Sequence, residues 1–253
     1  MRYLLPLPIG LCVLALWEAA VHYWQVPRFL LPPPSAIAVA LIDNLPLLMA
    51  GLWTTLNITL IAFACAVISG VGFATLFTRA RFIELAFAPY LVALQVTPVV
   101  AIAPLILIWV GFDNINRALI IIAWIIAFFP ITASSIQGLR STNRDLHDMM
   151  TLAGAKWWQR LLYLEYPAAL PAILAGAKTS GGLALIGAVM AEFVAGSGTS
   201  TGLAWRIIEA GNRLEIATMF AALIVLSLLG IVFFYTLSFI EWLLLRRWHD
   251  SFQ

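Results

Sequence analysis

Six stretches of roughly twenty apolar residues decide what this chain can fold into. Each is long enough, at 1.5 Å rise per residue, to cross a bilayer core about 30 Å thick. They run over about 4–24, 56–77, 85–110, 118–139, 170–194 and 217–245. Of the 253 residues, 63% are hydrophobic and only 10% charged, against about 25% charged in a soluble domain. So few charges cannot build a polar skin, so lipid replaces water as the main solvent. Backbone polar groups in lipid must be satisfied internally, which leaves helices or closed barrels. Apolar runs of this length select helices. The predicted fold is all-α, a polytopic membrane protein with six transmembrane helices in one transmembrane domain over 1–253.

The first stretch has a rival reading, since Arg2 followed by an apolar run resembles a signal peptide. The run outlasts a typical secretory core and no A-x-A site precedes Glu18, which favours a retained helix. The net charge of +2 is too small to imply nucleic acid. Cys12 and Cys65 lie inside apolar runs and His22, His147 and His249 are scattered, so neither a disulfide framework nor a metal site is indicated. Basic residues are unevenly shared between the two sides. Arg2, Arg79, Arg81, Arg140, Arg144, Lys156, Arg160, Arg246 and Arg247 fall on one side, and Arg28, Arg117, Arg206 and Arg213 on the other. The positive-inside rule then puts both termini in the cytoplasm. Trp24, Trp109, Trp205, Trp242 and Trp248 fall near span ends, where indoles favour the interface.

Several groups inside the spans bear on a pathway. Glu192, near the outer end of the fifth span, either lines the pathway or reaches the headgroups, since an intramembrane carboxylate is costly. Lys178 stands roughly 21 Å away along the same helix and cannot pair with it. Gln95, Ser134 and Ser180 each bond a neighbouring helix or face a solute. Pro98 and Pro104 either kink the third span toward a cavity or only improve its packing. Gly70, Gly72, Gly181 and Gly182 are expected at close helix contacts. Between spans, Pro27 to Pro34 reads as stiff and extended. An outer segment from Gly196 to Glu215 contains Gly196-Ser197-Gly198 and then a short helix. Gly176-Ala177-Lys178-Thr179 is not a phosphate-binding loop, because Ala172 and Ala177 occupy both required glycine positions.

The cytoplasmic segment at about 140–167 is the most informative. Asp145, Leu146, Met149, Met150 and Leu152 have the spacing of a short amphipathic helix. Gly154 permits a sharp change of direction. A second helical turn carries Trp157, Trp158, Leu161 and Leu162, with Pro167 expected to stop it and Pro171 to open the next span. A helix–glycine–helix elbow with exposed apolar groups either docks a partner or lies flat on the membrane.

This elbow resembles the EAA loop of binding-protein-dependent ABC importer permeases. Asp148-Met149-Met150 stands where Glu-Ala-Ala is usual, Gly154-Ala155 is in register, and Pro167 and Pro171 match the closing prolines. The resemblance extends over nearly the whole chain, including Ala191-Glu192-Phe193, and is nearest the nitrate/sulfonate/taurine/bicarbonate branch. It implies a permease domain that forms a solute pathway with a second permease copy in the bacterial inner membrane. It also implies two cytoplasmic ATPase subunits, which bind the ATP and magnesium, and an extracytoplasmic solute-binding protein. This chain itself would be no enzyme and would carry no cofactor or metal.

On that resemblance Asp148, Gly154, Ala155, Trp157, Trp158 and Pro167 are the ATPase-coupling residues. Glu192, Gln95, Ser134 and Ser180 are candidates for the pathway, and Arg206, Glu209 and Arg213 for contact with the binding protein. A sulfonate, taurine or nitrate-like anion is the favoured solute, with an aromatic acid or pyrimidine-type vitamin precursor as alternative. The rival class is a self-sufficient secondary transporter or channel. It would show internal repeats and several midplane carboxylates, and the sequence has neither.

Overall fold

The computed structural model describes residues 6–79, 81–196 and 201–246, and among these no strand occurs. The helices are α1 (Pro6–Tyr23), α2 (Pro34–Asp43), α3 (Leu45–Arg79), α4 (Arg81–Val96), α5 (Val99–Val110) and α6 (Ile115–Arg140). They are followed by α7 (Arg144–Leu152), α8 (Trp157–Arg160), α9 (Tyr166–Ala195), α10 (Leu203–Asn212) and α11 (Ile216–Leu245). Arg2, Ser197, Gly198, Arg247, Trp248 and His249, all used above, lie outside the described residues.

Among the described residues four unbroken helices are long and apolar enough to cross a membrane, and a bent pair makes up to five. α1 is an apolar helix of 18 residues, so the six predicted stretches map onto helices without giving six full-length spans. The third stretch is not one helix. It breaks between α4 and α5, which are bent by 100°. Pro98 supplies the reason: it has no N–H for the helical ladder, and its ring disfavours helical geometry at Thr97. Pro104, by contrast, is absorbed inside α5.

Other proline expectations also need correction. Of the stretch Pro27 to Pro34 read as extended, Pro33 is so (φ −68°, ψ 150°), but residues 28–30 form a turn closed by the Leu30 N–H on the Pro27 carbonyl at 2.9 Å, and Pro34 opens α2. The first helical position needs no N–H, so proline fits there. Pro167 does not stop the elbow's second helix, which runs as one helical stretch over Trp157–Ala195. Ahead of it the backbone widens into a π turn, Leu161–Glu165, where the Tyr166 N–H reaches the Leu161 carbonyl. The wider turn moves aside the carbonyl that the Pro167 ring would otherwise meet. Pro171 consequently lies inside α9 instead of at its start.

The chain divides into two compact units, one up to Thr55 with Gly196–Leu229 and the other over Leu56–Ala195 and from Gly230 onward. In the first, Trp17 packs on Phe220 with ring centroids 5.9 Å apart. The Ser35 N–H and hydroxyl both donate to Glu18, at 3.0 and 2.7 Å. The Leu203 N–H donates to the buried Thr55 hydroxyl at 2.9 Å. Close to it, Gly51 leaves room for the backbone at Leu203.

The second unit is organised around the contact of α6 with α9. A Cβ added at Gly176 would lie 2.5 Å from Ser134 Cβ, one at Gly187 would lie 2.8 Å from Ala123 Cα, and one at Gly138 2.8 Å from Ala172 Cβ. Ala127, Ala169, Ala184, Ala188 and Ala191 are fully buried along the same elements. Small residues let the two backbones approach closely, the usual basis of helix association in lipid. Gly70 and Gly181 also serve close approach, against Ile131–Thr132 and against Leu237 with Phe233. Gly72 and Gly182 do not: nothing lies within 4 Å of a Cβ at either. One or two residues along a helix turn the side chain by about 100° or 200°, so neighbours of a contact glycine face elsewhere.

This packing yields a paired prediction for thermal unfolding in detergent. Gly176→Ala should destabilise by about 1–3 kcal/mol, an overpacking cost, and lower Tm by several degrees. Gly182→Ala should leave Tm unchanged or slightly raised, since alanine is the better helix former.

Candidate functional site

The elbow is built from local signals. Asn143 caps α7, its side-chain oxygen accepting from the Asp145 N–H at 3.0 Å. α7 ends at Gly154 (φ +73°). There the Ala155 N–H reaches the Met150 carbonyl and the Gly154 N–H that of Thr151, both at 3.0 Å. That pair of bonds is the Schellman arrangement, which places glycine in the left-handed region. α8 then starts with the Lys156 N–H donating to Gln159 Oε1 at 2.7 Å. Arg160 ties the two arms together by donating to the Thr151 hydroxyl at 3.1 Å.

The elbow turns its apolar groups outward. Leu152 is 90% and Trp157 60% exposed, and Leu146, Met149, Trp158 and Leu162 are exposed as well. Asp148 and Pro167 are exposed and Ala155 half-buried, so the predicted coupling residues line one continuous segment.

Contacts that the sequence did not reveal fix this segment to the membrane helices. Glu165, 5% exposed in the π turn, is ion-paired with Arg79, the last residue of α3. One residue on, the Tyr166 hydroxyl bonds the Thr75 hydroxyl at 2.8 Å. Leu161 packs with Ala74, Leu139 and Ala169. Arg140, closing α6, pairs with Glu84 in the first turn of α4 at 2.7 Å. Both arginines sit at helix C-termini, where the backbone dipole favours positive charge. A hint was available in the sequence, because Glu165 is an acid isolated among Leu164, Tyr166 and Pro167.

The pathway candidates do not converge on one spot. Ser180 is buried and donates to the Ala127 carbonyl at 2.5 Å, a bond between α9 and α6. Ser134 packs against Gly176 on the same seam. Glu192 is fully buried roughly 18 Å beyond Ser180 along α9. Gln95 is exposed beside the α4–α5 break. Lys178, too far along α9 to reach Glu192, pairs instead with Glu241 of α11 at 3.1 Å and lies 4.9 Å from the Phe234 ring centre.

In the first unit Arg206, Glu209 and Arg213 form one cluster, with Glu209 accepting from Arg206 at 2.7 Å and from Arg213 at 2.8 Å. The same unit holds a crevice of about 690 Å³ lined by His22, Arg28, Ser35, Asp43, Asn44 and Glu215 among others. Among the described residues no group of three or more His, Cys, Asp or Glu is placed to hold a metal ion.

Comparison with known proteins adds to this geometry. Residues 66–244 match the family model of the binding-protein-dependent transport system inner membrane component. The riboflavin transport system permease protein RibX of Chloroflexus aurantiacus is 36% identical over 98% of this chain and 91% of its own length. The formylaminopyrimidine transport permease protein ThiX of Halalkalibacterium halodurans is 32% identical over 93% of this chain and 92% of its own. A putative aliphatic sulfonates transport permease protein, SsuC of Bacillus subtilis, is 29% identical over 95% and 86%. Among solved structures, an inward-facing MetNI methionine ABC transporter chain superposes with a TM-score of 0.68 at 19% identity. The match covers 79% of this chain and 96% of that one, and so agrees in fold.

The left-handed position that Gly154 occupies can be tested by limited trypsin digestion at Lys156 and Arg160. A side chain in the left-handed region costs roughly 1–2 kcal/mol. Gly154→Val should therefore speed cleavage about tenfold, whereas Gly154→Asn, which tolerates that region, should stay within about twofold.

Proposed function

The chain belongs to the family of binding-protein-dependent transport system inner membrane components, the permeases of ABC importers, and from that premise we propose how it works. Two permease copies form the solute pathway. Two ATPase subunits, which carry the ATP and magnesium, seat on the elbows from the cytoplasm, and a soluble binding protein delivers solute from the other side. Both termini are cytoplasmic, an orientation favoured by the basic residues gathered around the elbow.

The observation that carries this reading is the elbow. Two short helices meet at a fixed turn and present Leu152, Trp157 and Trp158 to solvent, with Arg144, Asp148 and Lys156 around them. An apolar anchor within a polar rim is how protein interfaces hold. Exposed Arg213 and the paired Arg206–Glu209 of the first unit offer charged contacts to the binding protein. Glu192, Gln95, Ser134 and Ser180 remain the candidates for the solute path.

For the solute, two relatives, at 36% and 32% identity, are named for riboflavin and formylaminopyrimidine. They favour a planar nitrogen heterocycle of the vitamin or vitamin-precursor type. A sulfonate or taurine-like anion is the second reading, supported by the match to a sulfonate permease along 95% of the chain.

Affinity purification from the native membrane in mild detergent tests the reading. An ATPase should accompany the wild-type chain, and Trp157→Ala with Trp158→Ala should reduce its recovery at least tenfold while helicity and Tm stay unchanged. Equal recovery with the double variant would place the docking surface elsewhere.

A further inference from the structure

The ion pair behind the elbow, a buried Glu165 with a partly exposed Arg79, asks for an explanation beyond docking. Glu165 is 5% exposed and occupies the π turn, where the helical ladder is at its weakest. Its partner Arg79 ends α3, a helix of 35 residues. Tyr166 and Thr75 add a second polar tie between the same two elements, at 2.8 Å. On the elbow side, Arg160 directly precedes the π turn and bonds Thr151 at 3.1 Å. Thr151 and Arg160 thus tie the two arms of the elbow, the π turn continues covalently from Arg160 to Glu165, and Glu165 crosses to Arg79. Elsewhere in this region α3 meets the segment through apolar contacts of Ala74 with Leu161 and its neighbours, which can slide with little directional preference. A charge-assisted pair has fixed geometry and resists being pulled apart.

We propose that Arg79 and Glu165 are positioning residues that join the elbow mechanically to α3, so that movement of the docked elbow is passed to the membrane helices. This rests on the elbow being the ATPase seat. The pair acts as a unit: losing either member breaks the joint, and losing the second adds nothing.

Cys65 provides a reporter on α3 itself. It is exposed, as is Cys12, so Cys12→Ser leaves a single thiol for an environment-sensitive bimane label. The complex with its ATPase is purified, and the label's fluorescence is read with ATP, with ATP plus vanadate, and without nucleotide. ATP hydrolysis is measured on the same samples. Wild type should show a nucleotide-dependent signal. Arg79→Gln, Glu165→Gln and the double variant should each lose at least fivefold of that signal while hydrolysis stays within about twofold. The three losses should be equal, because a unit cannot be broken twice.

The double variant strands no buried charge, so it should assemble even if a single variant does not. A wild-type signal in the double variant overturns the joint, as do losses that multiply from single to double. A parallel fall of hydrolysis and signal shows a merely structural role and also overturns it. Absence of any ATPase with the wild-type chain would instead sink the reading of the elbow as a docking site.

Discussion

Close approach of α6 and α9 is the constraint on which the second unit depends. In lipid there is little hydrophobic gain from bringing two apolar helices together, so association relies on packing and on interhelical hydrogen bonds. Glycines at 138, 176 and 187 remove the side chains that would hold the backbones apart. The Ser180 bond to the Ala127 carbonyl then locks the register. α6 ends at Arg140, just before the elbow, and α9 begins just after it. Their close contact therefore fixes where both arms of the elbow leave the membrane helices.

Two departures from regular helix give this frame its character. At Thr97–Pro98 the ladder is interrupted and the chain turns by 100°, leaving α4 and α5 as separate short helices. At Leu161–Glu165 the ladder is widened without being cut, and the helix carries on past Pro167. The first departure exposes Gln95 and a stretch of apolar surface on α4. The second places a buried acid against the end of α3. Irregular helices of this kind are uncommon in lipid because each costs backbone hydrogen bonds, and they recur where membrane proteins move or bind.

The sequence made much of this legible, for physical reasons that also explain what it hid. Apolar run length predicts helices because it responds to the bilayer, and it found every long helix. Run length alone could not show the break at Pro98, since residues on both sides are equally apolar; the proline marked where a kink could fall, though not that it would reach 100°. The elbow was readable because its determinants are local: amphipathic spacing in α7, glycine at the turn, and the tryptophan pair. Pro167 misled because the stop rule assumes an ordinary α-helical turn before the proline. The ion pairs were out of reach, since Arg79 and Glu165 stand 86 residues apart and Lys178 and Glu241 stand 63 apart. Only the packing of the helices brings them together. The candidate pathway residues were chosen for polarity alone, and the structure gives Ser180 a helix partner while leaving Gln95 at the surface.

A permease powered by a separate ATPase should move nothing on its own, and reconstitution puts this chain to that test. The purified chain is placed in sealed vesicles, alone or with its co-purified ATPase and binding protein. Labelled riboflavin, formylaminopyrimidine and taurine are offered as probes, with and without ATP. One probe should accumulate only when ATPase, binding protein and ATP are all present. Accumulation by the chain alone, driven by an ion gradient, would contradict that and make this a self-sufficient transporter.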